Sequence, residues 1–245
     1  MIFSVSTRSN ISANFDVILN KEKIERVQNY KFLGMNINEN LNWKNHMLDI
    51  LSKIQRNLGI VRKTARFLNR NSLFQLYHSL IMSHIRKGII VWYHGNSALK
   101  KKIQACSNKF LRIIFFLKPR DSVRELMKEH KLLSVQQIFN VELAKVMQKQ
   151  TLGTLPAALS SIFIEQTRLT QIQSRSATQV SQPPTRFIKC EQSIRCTGPK
   201  VWNSLPNDIK YKTTDRNGVL FNTPIDFVLF KTAVKKYALS NIDFI

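Results

Sequence analysis

Between Met47 and Leu68, seven apolar residues (Met47, Leu51, Ile54, Leu58, Val61, Ala65 and Leu68) recur at spacings that alternate between four and three. A strand, whose side chains alternate faces every second residue, scatters such a set. An α-helix turning about 100° per residue gathers it into one stripe. The spacing therefore predicts an amphipathic helix starting at Trp43, with Asn42 as its cap. Its opposite side carries Lys53, Arg56, Lys63, Arg66 and Arg70, and Lys44 and Arg62 flank the stripe. The pattern returns at Leu99, Ile103, Cys106, Phe110, Ile113 and Leu117, with Lys100, Lys101, Lys102, Lys109 and Arg112 on the far side. Between the two lies a more apolar helix, Ser72 to about Arg86, for which Asn71 is a candidate cap. Stripes of this kind cover one another when helices pack as a bundle.

The charge follows the same segment. Residues 43–118 hold 15 Lys and Arg against one acid, Asp49, which places +14 of the chain's net +23 there. A solvated surface normally mixes both signs. This one attracts polyanions, nucleic acid before anionic membrane, and does not suit an enzyme for small neutral metabolites.

On either side of the bundle the periodicity changes. Phe15 to Leu19, Ile24 to Val27 and Tyr30 to Ile37 read as three β-prone runs, with a turn at Asn20 to Lys23. Three strands make a fragment of a sheet rather than a sheet domain. Helices are expected at Ser122–His130 and Ser134–Lys149, followed by an extended connection from Pro156 to about Ser193. Gly198 to Asn203 starts a helical turn, and Phe227 to Leu239 forms a terminal helix. The expected architecture is α+β, mainly α: strands over 1–42, a basic helical bundle over 43–150, a linker over 151–192 and a small α-rich module over 193–245.

Catalytic chemistry finds little to work with. Phosphoryl transfer on nucleic acid uses clustered carboxylates that hold two Mg²⁺ ions, and no two acids are adjacent in this chain. His46, His78, His84, His94 and His130 form no ligand pair by spacing, since His78 and His84, six apart, fall on different helix faces. The seven glycines give no phosphate-loop spacing. Cys106, Cys190 and Cys196 provide neither a disulfide framework nor a zinc motif. Phe74, Tyr77, Trp92 and Tyr93 read as core. No catalytic residue, metal or cofactor is expected in this chain.

The opening Met1-Ile2-Phe3-Ser4-Val5-Ser6 lacks the features of a secretory signal, and the most apolar runs, Gly88 to Tyr93 and Ile113 to Leu117, are too short to span a bilayer. The expected location is intracellular, in nucleus or cytoplasm, with no membrane span.

Tyr30-Lys31-Phe32-Leu33-Gly34-Met35-Asn36-Ile37, followed by Leu41-Asn42-Trp43 and His46, resembles the segment after the polymerase palm in reverse transcriptases of non-LTR retrotransposons, the jockey-like group especially. The likeness continues through Tyr77-His78-Ser79-Leu80-Ile81, Ile89 to Trp92, Lys109 to Ile114 and Leu132 to Val135. It ends with Ser193-Ile194-Arg195, Gly198 to Pro206 and Phe230-Lys231. The resemblance implies an RNA-directed DNA polymerase family whose catalytic carboxylates, and the Mg²⁺ they hold, lie upstream of these residues in the palm. Met1 to Ser4 matches a palm strand, Phe32, Leu33 and Gly34 a primer grip, and the helices from Trp43 a thumb. The implied partner is an RNA or DNA template–primer duplex, held by its backbone without base reading and without polymerase activity from this chain alone. The alternative is a repurposed basic helical protein that meets another partner or an anionic membrane surface.

Overall fold

The computed structural model describes residues 17–25, 27–167, 180, 182–185, 188–216 and 219–241. Two compact units divide the chain, Met1–Val123 and Arg124–Ile245. The architecture is α+β and mainly helical, with small antiparallel hairpins.

The first unit opens with two separate hairpins. β1 (Val17–Leu19) pairs with β2 (Glu22–Ile24), and β3 (Asn29–Phe32) pairs with β4 (Met35–Asn38). The run Tyr30 to Ile37, expected as one strand, is thus folded in two. Leu33 and Gly34 both take positive φ, 47° and 76°, the backbone of a two-residue turn whose twist matches the flanking strands. Glycine accepts that geometry readily and leucine does not, so the apolar pattern ran through the turn unbroken. Expected strand residues Phe15 and Asp16, with Met1 to Ser4, lie outside the described residues.

α1 (Lys44–Thr64) begins one residue later than expected, after Trp43 in left-handed geometry at φ 54°, and Asn42 Oδ1 accepts from the Lys44 amide at 3.2 Å. Met47, Leu51, Ile54, Leu58, Val61 and Ala65 are buried, as their spacing required, and Ile50 joins them. A 3₁₀ turn at Ala65–Phe67 ends the run. The next helix is not the single one expected from Ser72 to Arg86. It begins as α2 (Arg70–Tyr77), capped by Asn69, whose side chain accepts from Ser72 at 2.8 Å. It then widens into a π-helical turn at His78–Met82 and resumes as α3 (Ser83–Arg86). The Leu80 carbonyl within that turn accepts from Asn57 Nδ2 of α1 at 2.9 Å, so the irregularity is locked by tertiary contact. Gly88, at φ 61°, then redirects the chain into α4 (Ile89–Trp92), and a Cβ on it would press on the Met35 sulfur at 2.6 Å.

α5 (Ser97–Ile114) is capped by Asn96, whose Oδ1 accepts from Leu99 at 3.0 Å. Ile103, Cys106, Phe110, Leu111 and Ile114 are buried against α1 and the returning segment. Tyr77 and Ser107 share a fully buried hydrogen bond of 3.0 Å.

In the second unit, α6 (Arg124–Glu129) precedes α7 (Val135–Thr151), which starts on a capping box between Ser134 and Gln137. α7 packs on α10 (Ile194–Ser204) and α12 (Phe227–Ser240). Gln137 Nε2 donates to the Ala238 carbonyl at 2.6 Å, and Trp202 sits fully buried 5.8 Å from the Phe230 ring. Within the span expected to be an extended linker, α8 (Ala157–Thr167) and the short α9 (Ile188–Glu191) are helical, and residues 168–179 lie outside the described ones. α11 (Asn207–Lys210) leads into a hairpin of β5 (Tyr211–Arg216) and β6 (Val219–Pro224) that the α-rich expectation omitted. Its sequence signal was present: Asn217-Gly218 between two β-prone runs is a strong hairpin pattern.

Candidate nucleic-acid interface

α1 and α5 run parallel. At one end the Asn96 amide donates to the Met47 sulfur at 3.3 Å; at the other, Arg62, Ala65 and Arg66 share one open cleft with Lys109, Arg112 and Ile113. This follows from the segment 70–92 returning between them, with Phe74 stacked edge-on against Phe115 at 5.6 Å near the cleft end. The cleft encloses about 570 Å³, and Phe116, Leu117 and Pro119 complete its lining. Cations in the last turns of α1 and α5 offset the carbonyl dipoles there, which explains locally why such residues are tolerated. Their number exceeds that need. Two helix ends amount to about −1 in all, against four full positive charges.

Three sequence-expected residues, Arg66, Lys109 and Arg112, converge in this cleft, and Arg62, read from periodicity only as a flanking cation, joins them. Arg112 is half-buried, and its Nε donates to the Asp121 carbonyl at 2.8 Å, which fixes the guanidinium. Arg56, Lys63, Lys101 and Lys102 are exposed on the helix faces, and among the described residues none of them forms an ion pair. Arg70 stands apart, its guanidinium over the Phe115 ring at 5.4 Å.

Two other expected cations are committed to local partners. Lys53 pairs with Asp49 at 2.8 Å, so the one acid of 43–118 neutralises it. Lys100 lies 4.0 Å over the Tyr93 ring, half-buried, and burial lowers the pKa of its ammonium from the usual lysine value. Phe32, Leu33 and Gly34 sit on the β3–β4 turn, with Phe32 and Leu33 exposed and Gly34 close against the Lys87 ammonium. That hairpin is held at the start of α1, where the Asn36 amide donates to His46 Nδ1 at 3.3 Å. Sixteen residues of α1 separate His46 from Arg62, about 24 Å of helix. The expected contacts therefore spread along α1 rather than gather in one patch: the hairpin at its start, Lys53 and Arg56 midway, and the cleft at its end.

Phe116 was not singled out by the sequence. α5 ends in a two-bond cap: the Phe116 amide donates to Ile113 at 3.3 Å and the Leu117 amide to Arg112 at 2.9 Å. That motif places the residue after the cap in left-handed geometry and is usually filled by glycine. Here the position holds Phe116, at φ 52° with 69 % of its surface exposed.

Among the described residues, no group of His, Cys, Asp and Glu is placed to hold a metal ion. Among them also, no helix is long and apolar enough to cross a membrane. No protein-family model, curated protein or solved structure matches the chain.

Proposed function

We propose that this chain binds the backbone of nucleic-acid duplexes through the basic helices of its first unit, as the thumb of a non-LTR retrotransposon reverse transcriptase does. The convergence of Arg62, Arg66, Lys109 and Arg112 in one cleft is the observation that carries this reading. Like charges gathered in this way repel one another, and a polyphosphate relieves the repulsion. His46, where the hairpin is held, and Arg62 in the cleft lie about 24 Å apart along α1, roughly the length of seven base-pair steps at 3.4 Å each. Phosphate contacts of this kind position a duplex and carry no sequence information. The resemblance supplies the thumb assignment and leaves the Mg²⁺-binding carboxylates to a palm.

Exposed Phe67 and Phe116 beside the same cations favour a second reading, an anionic membrane surface. A concave cleft suits it less, because a membrane-lying face presents its apolar residues outward.

The test is the salt dependence of duplex binding. Four phosphates neutralised in the cleft give a slope of log affinity against log salt of about −3.6, the same for unrelated sequences. A flat response, or affinity that depends on base sequence, overturns the proposal.

A further inference from the structure

We infer that the cleft between the ends of α1 and α5 takes an unpaired nucleotide, with its phosphates on Arg62, Arg66, Lys109 and Arg112 and its base against Phe116. This rests on the duplex-backbone reading and names a more specific ligand for the same site: nucleic acid with a single-stranded segment beside the duplex.

Three observations point to a base as well as a phosphate. The first is shape: a smooth duplex backbone needs only a charged surface, whereas this site is a cleft of about 570 Å³, the size range of sites that enclose small molecules. The second is chemistry. The cations stand beside an apolar lining that includes Ile113 and Leu117, and such a lining gains nothing from phosphate oxygens. The flat face of a base suits it, as in grooves that bind single strands by combining cations with aromatic platforms.

The third is the backbone at Phe116. Glycine satisfies the cap of α5 at no steric cost, and a phenylalanine there is both strained and, at 69 % exposure, hydrated. Phe116 nonetheless lines the cleft, where an exposed aromatic side chain can serve as a stacking surface. Electrostatics agree: the two helix carboxyl ends contribute about −1 against the four cations, so about +3 remains for an anion.

The experiment compares full-length protein binding to a blunt duplex and to the same duplex carrying a short single-stranded overhang, at matched salt, by fluorescence anisotropy. Wild type binds the overhang duplex more tightly. Phe116→Ala lowers overhang affinity about tenfold more than it lowers blunt-duplex affinity, and Phe116→Trp retains the preference. Thermal melting of each variant verifies that the fold is kept, and Phe116→Gly, which relieves the backbone strain, must lose the preference as Phe116→Ala does. Steep salt-dependent binding of both probes with no overhang preference overturns this inference and leaves the duplex reading standing. Binding of neither probe overturns both. Binding of phosphatidylserine vesicles alone, lost in Phe116→Ala, assigns the cleft to a membrane surface and also overturns both.

Discussion

The backbone amide of Asn36 in β4 donates to Nδ1 of His46 in α1 at 3.3 Å, so the hairpin is tied to the bundle through an imidazole that must stay neutral at that nitrogen. His46 is buried, and its Nε2 has no hydrogen-bond partner among the described residues. Burial, the largest influence, depresses its pKa below 6.5, and Lys53 and Lys87 act in the same direction against Asp49. His84 and His94 are shifted the same way, again chiefly by burial.

The sign of the pH dependence follows. A histidine with a depressed folded pKa takes up its proton in the unfolded chain first, so stability is complete above pH 6.5 and declines as pH falls below it. Urea unfolding at neutral and mildly acidic pH should show this decline, and His46→Leu should flatten part of it. An unchanged slope in that variant would remove His46 from the account.

Tyr77 and Ser107 hold each other's hydroxyls in the core between α2 and α5. Tyr77→Phe leaves Ser107 buried without this bond and should cost about 1–3 kcal/mol, and Ser107→Ala should cost a similar amount. The double variant should cost less than the two together, because the second change removes the group that the first orphaned. Additive losses in denaturant titrations would refute the coupling.

Lys210 is buried in the second unit, with its ammonium 5.7 Å from the Trp202 ring, and desolvation lowers its pKa to about 8. The folded chain therefore carries a penalty that is full below about pH 8 and fades toward pH 10.5, so this residue makes stability rise with pH across that window. Lys210→Met should raise stability at neutral pH by about 1–3 kcal/mol, with the advantage gone above pH 10.5. Destabilisation at neutral pH would show that the contact with Trp202 outweighs the desolvation.

Lys53 and Arg66 lie on the same predicted basic face, yet among the described residues Lys53 forms an ion pair with an acid and Arg66 forms none. Arg66→Glu should weaken duplex binding and make the salt slope shallower by at least one phosphate contact, about 0.9. Lys53→Gln should change the slope little, because Asp49 already offsets that charge. Equal effects would mean that overall charge, rather than the cleft, drives binding.

Spacing at three and four residues carries far on its own here. It placed Met47, Ile54, Val61, Ile103 and Phe110 in the core and Arg56, Lys63, Lys101 and Lys102 on the surface, because sidedness is a property of a single helix. The same local reasoning failed at Leu33, where a strand pattern runs through a turn that leucine seldom makes, and at the π-helical turn, which Asn57 secures from another helix.

The amino-acid order by itself determined α1, α5, α7 and α12, most of the apolar stripes of α1 and α5, and the excess of positive charge. Only the tertiary structure decided that Lys53 is neutralised, that Lys100 is half-buried over Tyr93, and that Arg62, Arg66, Lys109 and Arg112 face one cleft with Phe116 at its edge. The physical reason is that periodicity fixes the angle of a side chain around its own helix axis. Which helix ends lie side by side depends on the segment 70–92 turning back between α1 and α5, through contacts between residues far apart in the chain.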